Sequence, residues 1–224
     1  MVVDGLPLRG PNRRSSRAET RSLCCARQSN AKLWLVTSAR RLHYSYDEYL
    51  SSLEMSKVKL EYCDGEIYAM AGDTPAHADL AAAAIHLLSN ALIGRCRVST
   101  SDLKVHVEAT SLSTFPDVTV VCGERRVAAI DRNATTNPTL LVEVTSKSTE
   151  DYDRGEKLSH YKQCPSLQAV LFVSHRRPQL TVISRVGSGW QTHEYRQGER
   201  VTVPALSLDL SVDELHAGIT LDDA

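Results

Sequence analysis

The run Leu140-Leu141-Val142-Glu143-Val144-Thr145 constrains this chain most. A nearly continuous apolar stretch of this length describes a strand covered on both faces. A carboxylate inside it costs several kcal/mol unless something compensates its charge. Glu143 therefore needs a cation, and either a buried salt bridge or a metal ion meets that need. Asp117 shifts the balance towards metal. Phe115-Pro116-Asp117 opens the preceding strand, with 25 residues between Asp117 and Glu143, so two neighbouring strands can present two carboxylates at one edge. With a backbone carbonyl, for which Val144 is the candidate, they supply the few hard oxygen ligands that Mg²⁺ takes, Mn²⁺ being the alternative.

Around this strand the pattern interleaves helices and strands. Tyr46 to Leu53 reads as a short helix, and Lys59 to Tyr62 and Glu66 to Met70 as strands joined by an Asp64-Gly65 hairpin turn. Pro75 to Ile93 is predicted as a helix, with Pro near its start, Gly94 at its stop and Leu80, Ala84, Leu87 and Ala91 at helical spacing. Leu103 to Val107, Val118 to Cys122 and Leu140 to Thr145 are expected as strands lying side by side. A helix from Thr149 to Gln163 follows, with Ser148 as N-cap and Asp151 completing a capping box. Strands return at Ala169 to Val173, Leu180 to Arg185, Trp190 to Tyr195 and within Val201 to Leu210. A short helix near Val212 to His216 comes last.

Charge divides the chain unevenly. Residues 1 to 41 hold nine basic and two acidic side chains, a net charge of +7, which leaves 17 basic and 25 acidic residues and a net charge of -8 in the rest. The first segment reads as a basic arm without periodic apolar residues, as an overlong gene start or as an organelle transit peptide. The acidic remainder excludes a protein that coats nucleic acid by bulk charge, so such a substrate must meet a local basic strip. No run of apolar residues is long enough for a membrane-spanning helix, and the expected location is cytoplasmic. Six cysteines (Cys24, Cys25, Cys63, Cys96, Cys122 and Cys164) show no CxxC pair and no zinc-site spacing, so reduced, packed thiols are expected.

Five stretches carry a family resemblance: Leu60-Glu61-Tyr62-Cys63-Asp64-Gly65-Glu66, His77, Pro116-Asp117-Val118, Glu143-Val144-Thr145-Ser146, and Tyr152 through Tyr161. Over roughly residues 44 to 218 the chain resembles the PD-(D/E)XK nuclease superfamily, and within it the Uma-type restriction endonuclease family. The resemblance implies an α/β chain with a restriction endonuclease-like core over residues 42 to 220: a central mixed β-sheet flanked by helices, with an added N-terminal hairpin and C-terminal strands. It also implies Mg²⁺-assisted hydrolysis of phosphodiester bonds, with nucleic acid, DNA foremost, as partner, and a homodimer as one assembly. Another phosphodiester is an alternative substrate. A catalytically inactive nuclease-fold protein acting as a binding or interaction module is the alternative from a different class.

One departure matters. The superfamily pattern carries Lys two residues after the strand Glu, where Thr145 stands here. Lys157 is the candidate replacement, because Arg154, Leu158 and Tyr161 share its helical face and can direct it inward. An i,i+4 surface pair with Asp153 is the alternative. Glu61 either completes the acidic cluster from the hairpin or pairs on the surface with Lys59 or an arginine. His77 either positions water and moves protons or is a buried, hydrogen-bonded core histidine.

Overall fold

The computed structural model describes residues 43–70 and 74–222. The basic arm of residues 1 to 41 lies outside them. The described chain opens with helix α1 (Tyr46–Met55), whose N-cap Ser45 accepts from the Glu48 N–H while the Glu48 carboxylate accepts from the Ser45 N–H. Strands β1 (Leu60–Cys63) and β2 (Glu66–Ala69) form the expected hairpin. Asp64 and Gly65 both take positive φ at its tip, 44° and 89°. The positive φ of 89° favours glycine at Gly65, and a Cβ there would also push the exposed His43 ring aside. Helix α2 (Pro75–Ala91) buries His77, Leu80, Ala84 and Leu88, one residue round from the expected Leu87 and Ala91 stripe.

Among the described residues, two six-stranded sheets and a two-stranded hairpin follow from this start. The central sheet is ordered β12 (Gly189–Arg196), β11 (Gln179–Val186), β10 (Ala169–Val173), β9 (Leu140–Val144), β6 (Val118–Cys122), β3 (Cys96–Thr100). It is mixed: β9 and β10 run parallel, and the other neighbours run antiparallel. The second sheet joins the β1–β2 hairpin to β5 (Leu112–Thr114), β4 (Lys104–Val107), β8 (Asp131–Thr135) and β7 (Val127–Ala128). The expected neighbours Leu103 to Val107 and Val118 to Cys122 are thus in different sheets. The missing signal was β5, a three-residue strand entered through Ser111 at positive φ, which pairs with β4 and holds it away from β6.

Alternation along β9 explains the two layers. Leu140, Val142 and Val144 pack with Leu80, Ala84 and Leu88 of α2, with the hairpin β13 (Arg200–Val203) and β14 (Leu208–Ser211), and with helix α5 (Val212–His216). Leu141 faces the other way, into a core with Val105 and Val107 of β4, Leu112 of β5, and Leu158 and Tyr161. The helix expected over Thr149 to Gln163 forms in three pieces: α3 (Glu150–Tyr152), a π-helical turn (Asp153–Lys157) and α4 (Leu158–Tyr161). The Ser148 capping box is absent. Thr149 is the N-cap and makes no side-chain cap bond, because the hydroxyls of Ser146, Ser148 and Thr149 bond among themselves. The reduced-thiol expectation is corrected as well: Cys96 and Cys122, opposite each other on β3 and β6, are disulfide-bonded. Cys63 and Cys164 are free thiols.

Candidate active site

Register fixes the two carboxylates. Val118 of β6 pairs with Val142 of β9, so one step further Asp117 lies opposite Glu143, and opposite residues of an antiparallel pair share a face. Asp117 Oδ2 accepts the Val144 N–H at 2.7 Å in place of a strand partner. The next amide, Thr145 N–H, bonds Val173 on the opposite side, so the Val144 carbonyl faces the Asp117 side with its own N–H.

Glu143, 4% exposed, meets two donors through Oε1: the Tyr161 hydroxyl at 2.5 Å and the Lys157 ammonium at 3.1 Å. Lys157 also reaches Glu61 Oε1 at 3.3 Å and Asp153 Oδ1 at 3.4 Å. The inward reading of Lys157 therefore holds geometrically and the surface pair does not: Lys157 pairs with Asp153, but the pair is buried and aimed at the carboxylates instead of solvent. Glu61 comes from β1 and accepts the Thr114 hydroxyl of β5, directly opposite it in register. Lys59, its alternative partner, is engaged with Asp102 and Ser101 instead. His77, buried at the start of α2, places Nε2 3.3 Å from Asp117 Oδ2. All five expected side chains thus line one cleft of about 410 Å³, joined by Val144, Asp153 and Tyr152.

Electrostatics gives the cleft a direction. Burial pushes the Glu143 carboxyl from an ordinary 4.5 up to about 8; Asp117 and Asp153 add to the shift, and Lys157 and Tyr161 oppose it. Burial also works against charge on Lys157, yet Glu143, Tyr161, Glu61 and Asp153 together hold its pKa well above the ordinary lysine value. One cation shared among several carboxylates reconciles the two: the lysine stays charged and one carboxyl keeps its proton. Tyr161, held protonated by burial and by Glu143, remains a donor.

The donor set fits a hard divalent ion. Asp117 spends Oδ2, and Glu143 spends Oε1, on protein donors; among the described residues neither Asp117 Oδ1 nor Glu143 Oε2 takes a hydrogen bond. Two carboxylate oxygens and the Val144 carbonyl are then available at a place where burial, with Asp117 and Asp153 beside it, pushes the Glu143 carboxyl up.

Asp153, Tyr161 and Thr114 escaped the sequence reading as site residues. Asp153 was legible only as an i+4 neighbour of Lys157. The π-helical turn, in which Leu158 N–H bonds back to Asp153 O, turns both inward. Tyr161 was legible only as sharing the helical face of Lys157, and nothing in its spacing announced a hydroxyl aimed at Glu143.

A mixed central sheet with helices on its faces, carrying two carboxylates on paired strands and a buried lysine, defines a restriction endonuclease-like α/β fold. A solved structure from Anabaena variabilis, described as a "putative nuclease belonging to DUF820", superposes with a TM-score of 0.65 at 17% identity, over 78% of this chain and 98% of that one. The chain belongs to the Uma2 family, described as "Putative restriction endonuclease", whose pattern matches residues 46–216. Two Synechocystis proteins are similar in sequence: slr1290, 37% identical over 180 residues (78% of this chain, 92% of that protein), and sll1609, 31% identical over 127 residues (56% and 72%), both described as uncharacterized. Among the described residues no helix is long and apolar enough to cross a membrane.

Proposed function

We propose that this chain is a Mg²⁺-dependent endonuclease that hydrolyses phosphodiester bonds of DNA. The observation that carries the reading is the Lys157 ammonium, buried between Glu143 and Glu61 at 3.1 and 3.3 Å on the face that Asp117 shares. Asp153 adds a third carboxylate at 3.4 Å, so the ammonium sits within an acidic cluster at the cleft and not in an isolated pair. Asp117, Glu143 and the Val144 carbonyl would hold the ion, with Mn²⁺ able to replace Mg²⁺; when bound it supplies Lewis-acid polarisation of the phosphate and an acidified water.

The remaining chemistry belongs to the chain. Lys157 offsets charge that builds on the phosphate oxygens and orients the attacking water. Tyr161 donates to Glu143 Oε1 and so turns the other carboxylate oxygen to the cleft. Glu61 and Asp153 anchor the lysine. His77 steadies Asp117 and is placed to relay a proton at the cleft wall.

The test is incubation of the purified chain with labelled DNA and RNA in Mg²⁺, in Mn²⁺ and in EDTA. The reading expects internal cuts in DNA that require the ion and vanish in Asp117→Ala. Binding of DNA without cutting under every condition would favour an interaction module that kept the nuclease core.

A further inference from the structure

We propose that Cys63, Glu156 and His160 form a second cation site, chemically distinct from the carboxylate cleft and suited to zinc and similar borderline-soft divalent ions. It goes beyond the nuclease reading and does not depend on it. No spacing rule could reveal it, since Cys63 and His160 are 97 residues apart. The fold brings them together. Alternation along β1 sends Glu61 and Cys63 to one face; Glu61 meets Lys157, and Cys63, two residues on, meets the next exposed turn of the same helix. Glu156 and His160, four residues apart, sit there side by side.

The ligand atoms converge. Cys63 Sγ lies 3.6 Å from His160 Nε2, which lies 3.9 Å from Glu156 Oε1, and all three fall within 4.8 Å of one another. A tetrahedral zinc ion with bonds of about 2.3 Å to sulfur and about 2.1 Å to nitrogen separates those two ligands by about 3.6 Å. The sulfur–nitrogen edge is already at that length. Glu156 must move inward, by up to about 1 Å on its sulfur side given zinc bonds of about 2.3 Å to sulfur and about 2.1 Å to oxygen, which its exposed side chain permits. Burial, with Glu156, Asp64, Glu66 and Glu61 around it, pushes the Cys63 thiol up, so the same negative potential that attracts a cation leaves the proton in place until the cation displaces it.

The donor types select the ion. Thiolate and imidazole suit zinc and cobalt, whereas Mg²⁺ takes oxygen. Three protein ligands leave a fourth position for water. His160 Nδ1 is buried without a hydrogen-bond partner among the described residues, so the outer acceptor that strengthens most histidine ligands is missing there. The affinity should accordingly fall below that of a four-ligand structural site. Occupancy would staple β1, which carries Glu61, to the helix that carries Lys157.

Cobalt titration of the full chain tests this, because a thiolate ligand gives a near-ultraviolet charge-transfer band that an all-oxygen site cannot give. The parent protein should show the band together with strong visible absorption of tetrahedral cobalt. Both should persist in Glu143→Gln and in Cys24→Ser/Cys25→Ser, and disappear in Cys63→Ser and in His160→Gln. Zinc should raise the melting temperature of the parent and leave that of either latter variant unchanged. Absence of the band from the parent, or its survival in both Cys63→Ser and His160→Gln, overturns the site.

Discussion

Lys157 stands where two demands meet, since it neutralises carboxylates in the resting protein and would be needed again as charge develops on a phosphate. Its nitrogen lies 3.1 Å from an oxygen of Glu143, so the ammonium competes with a metal ion for the same charge. Lys157→Ala is therefore expected to keep or tighten Mg²⁺ binding in calorimetry, while cleavage slows by on the order of a hundredfold, the scale seen when one electrostatic stabiliser is removed. Lys157→Arg should restore only part, because a planar guanidinium does not fit the place of a compact ammonium. Unchanged cleavage by Lys157→Ala would leave the lysine a purely structural role. Glu143 gives a second prediction with a definite sign. Its folded-state carboxyl, raised to about 8 from 4.5, binds a proton more tightly than in the unfolded chain. The associated stability is fully present below the unfolded value and is lost as pH rises through about 8, with a slope of at most about 1.4 kcal/mol per pH unit. Melting curves in EDTA should fall across that window, and Mg²⁺ or Glu143→Gln should flatten them; a flat profile for the parent protein in EDTA contradicts the assigned shift.

At the level of elements, β6 and β9 bring the carboxylates together, and the disulfide ties β6 to its outer neighbour β3. Cys122 ends β6 and Asp117 precedes its start, so the crosslink and the cleft sit at opposite ends of one strand. Closing the 26-residue separation restricts the unfolded chain and stabilises by about 3 to 4 kcal/mol in the loop-entropy description. Cys96→Ser should lower urea resistance by up to that amount while Mg²⁺ affinity stays the same; a loss of metal binding would mean that β6 shifts as a whole. In the second sheet, Lys104 of β4 and Asp131 of β8 form a buried pair at 2.7 Å, which the Tyr46 hydroxyl joins at 3.1 Å. Lys104→Met leaves Asp131 buried without its cation and should cost about 3 to 5 kcal/mol in denaturant melts. A cost within experimental error would show that water or rearrangement satisfies Asp131. Legibility followed the length and periodicity of each element. The apolar run of β9, the Asp64-Gly65 turn and the long α2 each carry a local cause, and each was readable. Short β5, β7 and β8 carry almost none: Ser113 of β5 and Asp131 of β8 bond the distant Tyr46 hydroxyl, and Asn137, just after β8, bonds the Glu124 carbonyl ahead of β7. The same division runs through the site: Asp117 and Glu143 stood out as charges in apolar settings, and Lys157 as the replacement for the lysine that the family pattern places two residues after the strand Glu. Asp153 and Tyr161 owe their positions to a π-helical turn that no residue pattern announced.

At the scale of the whole body beyond residue 41, the charge poses an electrostatic problem that a divalent ion in the cleft would resolve. Beyond residue 41 the net charge is -8, and the cleft concentrates Glu61, Asp117, Glu143 and Asp153 around one lysine. A polyanion approaching such a surface is repelled unless a cation stands in the cleft, so the ion should be needed for substrate binding as well as for the chemical step. That separates this protein from a basic nucleic-acid binder, which holds DNA in EDTA through its own lysines and arginines and loses affinity only with salt. The slow-cutting Lys157→Ala variant makes the comparison measurable, because bound DNA survives the assay. Its affinity for a short duplex, followed by fluorescence anisotropy at fixed ionic strength, should be at least about tenfold higher in Mg²⁺ than in EDTA, the equivalent of about 1.4 kcal/mol. Asp117→Ala in the same background should erase the difference, since it removes a ligand without adding positive charge elsewhere. Equal affinities with and without the ion would place the DNA contacts away from the cleft and leave the carboxylates without a part in substrate recognition.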